Sequence, residues 1–329
     1  MLYIKIFIYL LTKSLAYHKT ILVFKIRKIN MRSIVHKNIY DEILRGVNTE
    51  TYGSIPQCYY IVGRKGYGKT SLLINLLKEL SKSQQIYPLY IDSILTPTFD
   101  LEKTINMNKV NEKRLVLLID DIDIILKSLD ERSKFNLRSL LYQEGAPIII
   151  GTGTNLIPDF TDYHAPFYDA FILYNLKELT VEESLCLFEN MRIEMGLPMD
   201  HSKIILEALD EIGKTPRACS LLSKLKSFDS SLSEVISEAL SPLDLYYREK
   251  IFTMPLSQRK TFVYILSQGK SVLLSDIRKA TEQSSGDITP QLKSLANKGL
   301  IITTKESAKK TEYSVADKMM CAWYKYCRE

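Results

Sequence analysis

Residues 58–80 read Cys58-Tyr-Tyr-Ile-Val-Gly63-Arg64-Lys65-Gly66-Tyr67-Gly68-Lys69-Thr70-Ser71, then Leu-Leu-Ile-Asn-Leu-Leu-Lys-Glu-Leu80. The opening run is short, apolar, β-branched and aromatic, with the length of a buried strand. The stretch from Ser71 has the apolar spacing of a helix packed on a sheet. Between them, Gly63 to Thr70 satisfies G-x-x-x-x-G-K-[ST], which average composition produces by chance in roughly one chain in a hundred of this length. A strand before and a helix after are the surroundings that give the pattern meaning. Glycines let Gly63, Arg64, Lys65, Gly66, Tyr67 and Gly68 fold into a nest of N–H groups around phosphate oxygens, and the helix start at Ser71 adds partial positive charge. In such a loop Lys69 reaches the outer phosphates and the Thr70 hydroxyl holds magnesium.

A second stretch completes the site. Arg114-Leu-Val-Leu-Leu-Ile-Asp120-Asp121-Ile-Asp123 is a continuous apolar run ending in acids, as expected of a parallel strand buried on both faces. Asp120 is the expected magnesium ligand beside Thr70, and Asp121 the group that orients or deprotonates the attacking water. Asp130 to Tyr142 reads as a helix, and Ala146 to Thr154 as a further buried strand. Gln85 to Asp92 and Asp169 to Tyr174 bring the strands to five. Ligands of an open parallel sheet sit at the carboxyl ends of its strands, where Thr152 or Thr154 is expected near the outermost phosphate or the water. The expected cofactors are ATP and Mg2+, although nothing in these residues excludes guanine.

At 329 residues the chain suits two or three domains. No window approaches the roughly 18 uninterrupted apolar residues of a membrane span, so no integral membrane insertion is expected. The five cysteines show no C-x-x-C pair and there are four histidines, which argues against a structural metal site and for reduced thiols in a cytoplasmic protein. The net charge of +6 is uneven: residues 1–36 carry seven Lys/Arg and no acid, residues 251–329 carry thirteen against seven, and the middle totals −7. An acidic body with a basic tail points towards nucleic-acid contact. The apolar, basic first thirty residues have neither the length of a span nor a cleavage site, and read as an extension.

Beyond Thr180 the apolar spacing turns helical. Val181 to Met195, Ser202 to Ile212, Ala218 to Leu225 and Leu232 to Leu240 make an all-α segment. Past a hinge-like Ser241-Pro242 come Ser257 to Gln268, Leu273 to Thr281 and Thr289 to Lys298, then a hairpin from Leu300 to Val315 with a basic tip. Three helices and a hairpin make a winged helix-turn-helix. In DNA recognition Thr289, Gln291 and Lys293 would lie in the major groove, and Lys305, Lys309 and Lys310 near phosphates.

These residues resemble the AAA+ and STAND branch of P-loop ATPases, more closely the prokaryotic members allied to origin-recognition initiators that end in a winged helix. The likeness spans roughly residues 36 to 328. It implies an α/β P-loop NTPase with a five-stranded parallel sheet over 36–178, an all-α lid over 179–246 and a winged helix-turn-helix over 247–329, after an extension at 1–35. Ile212-Gly213-Lys-Thr-Pro216-Arg217 looks like the lid motif whose arginine reaches back to the γ phosphate. Thr215 as a cap and Pro216 at the first helical position would fix Arg217 in the first turn. Two departures stand out. Asp121 occupies the place where AAA+ proteins usually carry Glu, which implies slow hydrolysis. No Arg or Lys lies between Thr154 and Asp169, where ring motors carry an arginine finger, leaving Arg138 on the preceding helix to serve a neighbouring subunit. Two functions remain open: an ATP-driven switch associated with duplex DNA, and a partner-gated STAND-type signalling or defence ATPase that self-associates or engages an effector protein.

Overall fold

The computed structural model describes residues 35–49, 55–97, 99–108, 113–199, 203–307 and 310–328. All but the last residue of the expected extension, and Lys309 of the hairpin tip, lie outside them. The chain divides into two compact units, one through Lys177 and one from Glu178.

The first unit runs α1 (Lys37–Thr49), β1 (Cys58–Val62), α2 (Lys69–Leu80), β2 (Ile86–Asp92), α3 (Leu101–Asn108), β3 (Arg114–Asp120), α4 (Ile122–Ser128), α5 (Glu131–Leu141), β4 (Ile148–Gly153), α6 (Pro158–Thr161) and β5 (Phe171–Asn175). The strands form one parallel sheet in the order β2-β3-β4-β1-β5. Every residue of β3 is buried: Leu115, Leu117 and Ile119 enter the core on one face, Val116 and Leu118 the core on the other. Two covered faces explain why its sequence shows no polar alternation. On α2, Leu72, Leu73, Ile74, Leu76, Leu77 and Leu80 are buried against the second of these faces.

The helices α1, α3 and α4 have no counterpart among the expected elements. Asp121, with φ 54 and ψ 49, turns the chain out of β3 straight into α4. Ile122, Ile125 and Leu126 therefore reach the core from a helix rather than by prolonging the strand.

The second unit runs α7 (Val181–Glu194), α8 (Lys203–Ile212), α9 (Pro216–Leu222), α10 (Leu232–Leu240), a 3-10 turn (Ser241–Leu243), α11 (Asp244–Phe252), α12 (Leu256–Gln268), β6 (Val272–Leu273), α13 (Leu274–Thr281), α14 (Ser285–Asn297), β7 (Ile301–Ser307), β8 (Lys310–Val315) and α15 (Lys318–Tyr326). Capping boxes start α7 at Thr180 and α10 at Ser231, each satisfying N–H groups that a helix start leaves orphaned. Ser241-Pro242 is no break: the 3-10 turn carries α10 into α11. Strands β6, β8 and β7 form a small antiparallel sheet in that order.

Trp323 is 1% exposed. Its indole N–H donates to Asp244 at 3.0 Å, and its ring centroid lies 5.3 Å from that of Tyr247. It anchors α15 and is not presented for base stacking. Lys325 and Tyr326 on α15 donate to Glu211 of α8 at 2.6 and 3.0 Å, and Lys318 pairs with Glu178 at 3.1 Å. These contacts fasten the carboxyl-terminal elements to the helices before them. Among the described residues no helix is long and apolar enough to cross a membrane, and no cluster of three or more His, Cys, Asp or Glu is placed to hold a metal. All five cysteines are free.

Candidate nucleotide site

The strand order sets β4 between β3 and β1, so three carboxyl ends meet: the loop after β1, the acids ending β3 and the hydroxyl near the end of β4. Register reinforces this, since Ile119 pairs with Gly151 and Ile61 with Thr152. Gly66 and Gly68 have φ of 91 and 90, a region open to glycine and strained for residues with a Cβ. Gly68 stands at the N-cap of α2, which no side chain caps. An uncapped helix start directs its N–H groups at an incoming anion.

Lys69 is 9% exposed, and its ammonium donates to the Gly63 carbonyl at 2.6 Å. Burial pulls its pKa down, and Asp121, Asp120 and Asp123 oppose the shift. Asp120 accepts from the Thr70 hydroxyl at 2.6 Å and the Tyr90 hydroxyl at 3.1 Å on Oδ2, and from the Thr152 hydroxyl at 2.7 Å on Oδ1. Thr70 Oγ1 and Asp120 Oδ2 thus bring together the hydroxyl and the carboxylate oxygen that a hard divalent cation takes as ligands. Burial and the charge of Asp120 raise the pKa of Asp121, with Lys69 opposing. Arg64 and Lys65 are exposed at the loop, and Tyr67 and Ser71 are half-buried. His36, just before α1, is 2.8 Å from the Tyr67 carbonyl through Nε2 and braces the loop from outside the motif.

Several expected roles change. Thr152 is fully buried and gives its proton to Asp120 while accepting the Asp121 N–H at 3.0 Å. Its hydroxyl is therefore spent on orienting the two acids rather than on a phosphate or water. Arg138 donates through Nη1 to the Pro166 and Tyr168 carbonyls at 2.6 and 2.9 Å and lies over the Tyr142 ring, so it holds a loop of its own chain. Tyr90 and His36 escaped the sequence reading because strand and helix patterns carry no sign of either contact.

In the second unit, Thr215 accepts from the Ala218 N–H and Pro216 is the first residue of α9, so Arg217 sits in the first turn, as expected. Its guanidinium lies 5.5 Å from the Tyr246 ring centroid. On α14 Thr289 and Lys293 are exposed, whereas Gln291 accepts from Thr261 at 2.8 Å and donates to Gln283 at 3.0 Å. The amide of Gln291 is committed inside the helix cluster, which corrects its placement among groove-reading residues. The helix starts at Ser285, with Ser284 as cap, and runs through Pro290. This earlier start puts Ile288, Leu292 and Leu295 in the core and Gln291 beside them. Lys305 is exposed on β7; the side chain of Lys310 and all of Lys309 lie outside the described residues.

Strand order, phosphate loop and acidic strand end together define a P-loop NTPase fold. The same fold is found in a Walker-type ATPase of Pyrococcus abyssi, with a TM-score of 0.61 and 15% identity over 90% of this chain and 96% of that one. It is found again in the ORC1 protein of Aeropyrum pernix, solved in complex with DNA, with a TM-score of 0.53 and 13% identity over 90% and 93% of the two chains. At these identities the likeness is one of fold. No protein-family profile and no curated protein matches the sequence.

Proposed function

We propose that this chain binds and slowly hydrolyses ATP with Mg2+ and works as a nucleotide-dependent switch whose residues 247–329 form a winged helix that meets duplex DNA. The observation that carries the ATPase reading is the convergence of Thr70 and Thr152 on the two oxygens of Asp120, beside a glycine loop holding Lys69. Thr70 and Asp120 would hold the metal, which neutralises charge on the phosphates. The loop N–H groups and Lys69 bind the β and γ phosphates, and Asp121 orients a water and accepts its proton as the water oxygen bonds to γ-phosphorus and the bond to ADP breaks. Arg217 is the lid group assigned to sensing the γ phosphate.

The winged-helix reading is supported by three helices interleaved with the β6-β8-β7 sheet. Thr289, Lys293 and Lys305, with Lys309 and Lys310, are the groups assigned to DNA. The attachment of α15 to α8 through Glu211 favours a second reading, a partner-gated STAND-type ATPase in which this module makes protein contacts.

The test is ATP binding and turnover by the unsubstituted protein and by Lys69→Ala, each with and without duplex DNA. Lys69-dependent binding with turnover raised by DNA is the expected result. Lys69-dependent binding indifferent to DNA transfers the assignment to the partner-gated reading, and binding independent of Lys69 overturns both.

A further inference from the structure

Tyr90 lies on β2, the strand beside β3, two residues before the Asp92–Asp120 register pair. Its ring is 8% exposed and belongs to the α2-facing core with Leu73, Ile74 and Leu77. Its hydroxyl nonetheless points at the site and donates to Asp120 Oδ2, the oxygen that also accepts from Thr70. Asp120 is thereby held by one hydroxyl from each of three elements: α2, β4 and β2. Thr70 and Thr152 belong to segments already assigned to the site, whereas nothing in the phosphate-loop pattern calls for a tyrosine at this place.

From this geometry, and resting on the nucleotide-binding reading above, we infer that Tyr90 is a positioning residue for the divalent cation: it fixes the orientation of the Asp120 carboxylate. The reason lies in what the metal demands. Magnesium requires near-ideal octahedral geometry at short, fixed distances, while calcium accepts variable number and direction of ligands. A carboxylate clamped by three donors suits the first cation and offers little advantage to the second. Outer-shell hydrogen bonds of this kind typically change metal affinity by about 10–100-fold when removed. Since the Tyr90 ring also fills core, the hydroxyl is the part to test. Tyr90→Phe keeps the ring and removes only the donor.

The experiment titrates MgCl2, and separately CaCl2, against Tyr90→Phe and unsubstituted protein while following binding of a fluorescent ATP analogue, with thermal unfolding in EDTA confirming that the variant folds. The expected result is a rise of about tenfold in the Mg2+ concentration for half-maximal binding with a change below about twofold for Ca2+. An unmoved Mg2+ midpoint, or Mg2+ and Ca2+ midpoints shifting together, overturns the assignment, the second outcome identifying a packing role. Failure of the unsubstituted protein to bind the analogue in a Lys69-dependent way overturns the nucleotide reading itself, and this inference with it.

Discussion

The Thr152 hydroxyl gives its proton to Asp120 at 2.7 Å and accepts the Asp121 backbone N–H at 3.0 Å, so one side chain of β4 ties down both acids at the end of β3. Thr152→Val keeps the shape and deletes both bonds, leaving the part-buried Asp121 N–H without this acceptor. The expected cost is about 1–3 kcal/mol of stability, read from the urea midpoint. Turnover should fall by roughly tenfold or more, because Asp121 is no longer oriented, while Lys69-dependent ATP binding survives.

Asp121 is held at positive φ, where Asp and Asn are tolerated and longer side chains are disfavoured. Asp121→Glu, which installs the residue customary in AAA+ proteins, should therefore lose about 1 kcal/mol of stability rather than gain activity. Urea unfolding and single-turnover hydrolysis together check this.

The pH dependence of Asp121 follows from its raised pKa, caused first by burial and then by Asp120. A folded pKa above the unfolded one gives stability that is present below the unfolded pKa and lost as pH rises through the folded one. Charging Asp121 thus costs the nucleotide-free protein stability, while the same charge is what the proposed base role requires. Asp121→Asn should raise the thermal midpoint at neutral pH and cut turnover by about 100-fold. Thermal melts of both proteins in EDTA across pH check the sign, since the gain from Asp121→Asn should shrink as pH falls and Asp121 takes up its proton.

Gly46 on α1 approaches the Tyr59 hydroxyl so closely that a Cβ built there falls 2.0 Å from that oxygen and 3.2 Å from the ring carbon bearing it. Gly46→Ala should destabilise the protein by about 1–3 kcal/mol through overpacking. In a Tyr59→Phe background the cost should shrink, since the nearest atom is then the ring carbon at 3.2 Å, which has to give by only a few tenths of an ångström. Chemical denaturation of the four-member cycle reads this coupling.

On α14, Lys293 is exposed and Gln291 is engaged with Thr261 and Gln283. Lys293→Gln should reduce the slope of log affinity for duplex DNA against log salt by about 1. Gln291→Ala should leave that slope in place and cost about 1 kcal/mol of stability. Filter binding at several salt concentrations beside urea melts distinguishes the two, and a slope that responds to Gln291 alone would reverse the assignment.

Much of the site was legible because phosphate binding imposes local rules. Glycines, Lys69 and Thr70 stand at spacings fixed by the backbone nest, and Asp120 follows an apolar run that only two covered faces explain. The α4 helix was illegible for the opposite reason: Ile122-Asp-Ile-Ile reads as more strand, and only the left-handed turn at Asp121 diverts it. Gln291 was misplaced through helix phase. The spacing of Ile288, Leu292 and Leu295 marked the buried stripe of α14, but starting the helix at Thr289 concealed it.

By itself the sequence determined the phosphate loop, the strand that supplies Asp120 and the helical character of residues beyond Thr180, since each is written in neighbouring residues by chain geometry and burial. Tertiary structure decided the uses of individual side chains. Thr152 and Tyr90 meet Asp120 only because strands distant in sequence lie side by side, and Arg138 is occupied because a loop some thirty residues later folds onto it. A hydroxyl proton or a guanidinium can serve only the partners that folding brings within about 3 Å, and that proximity is a property of the packed sheet rather than of any local pattern.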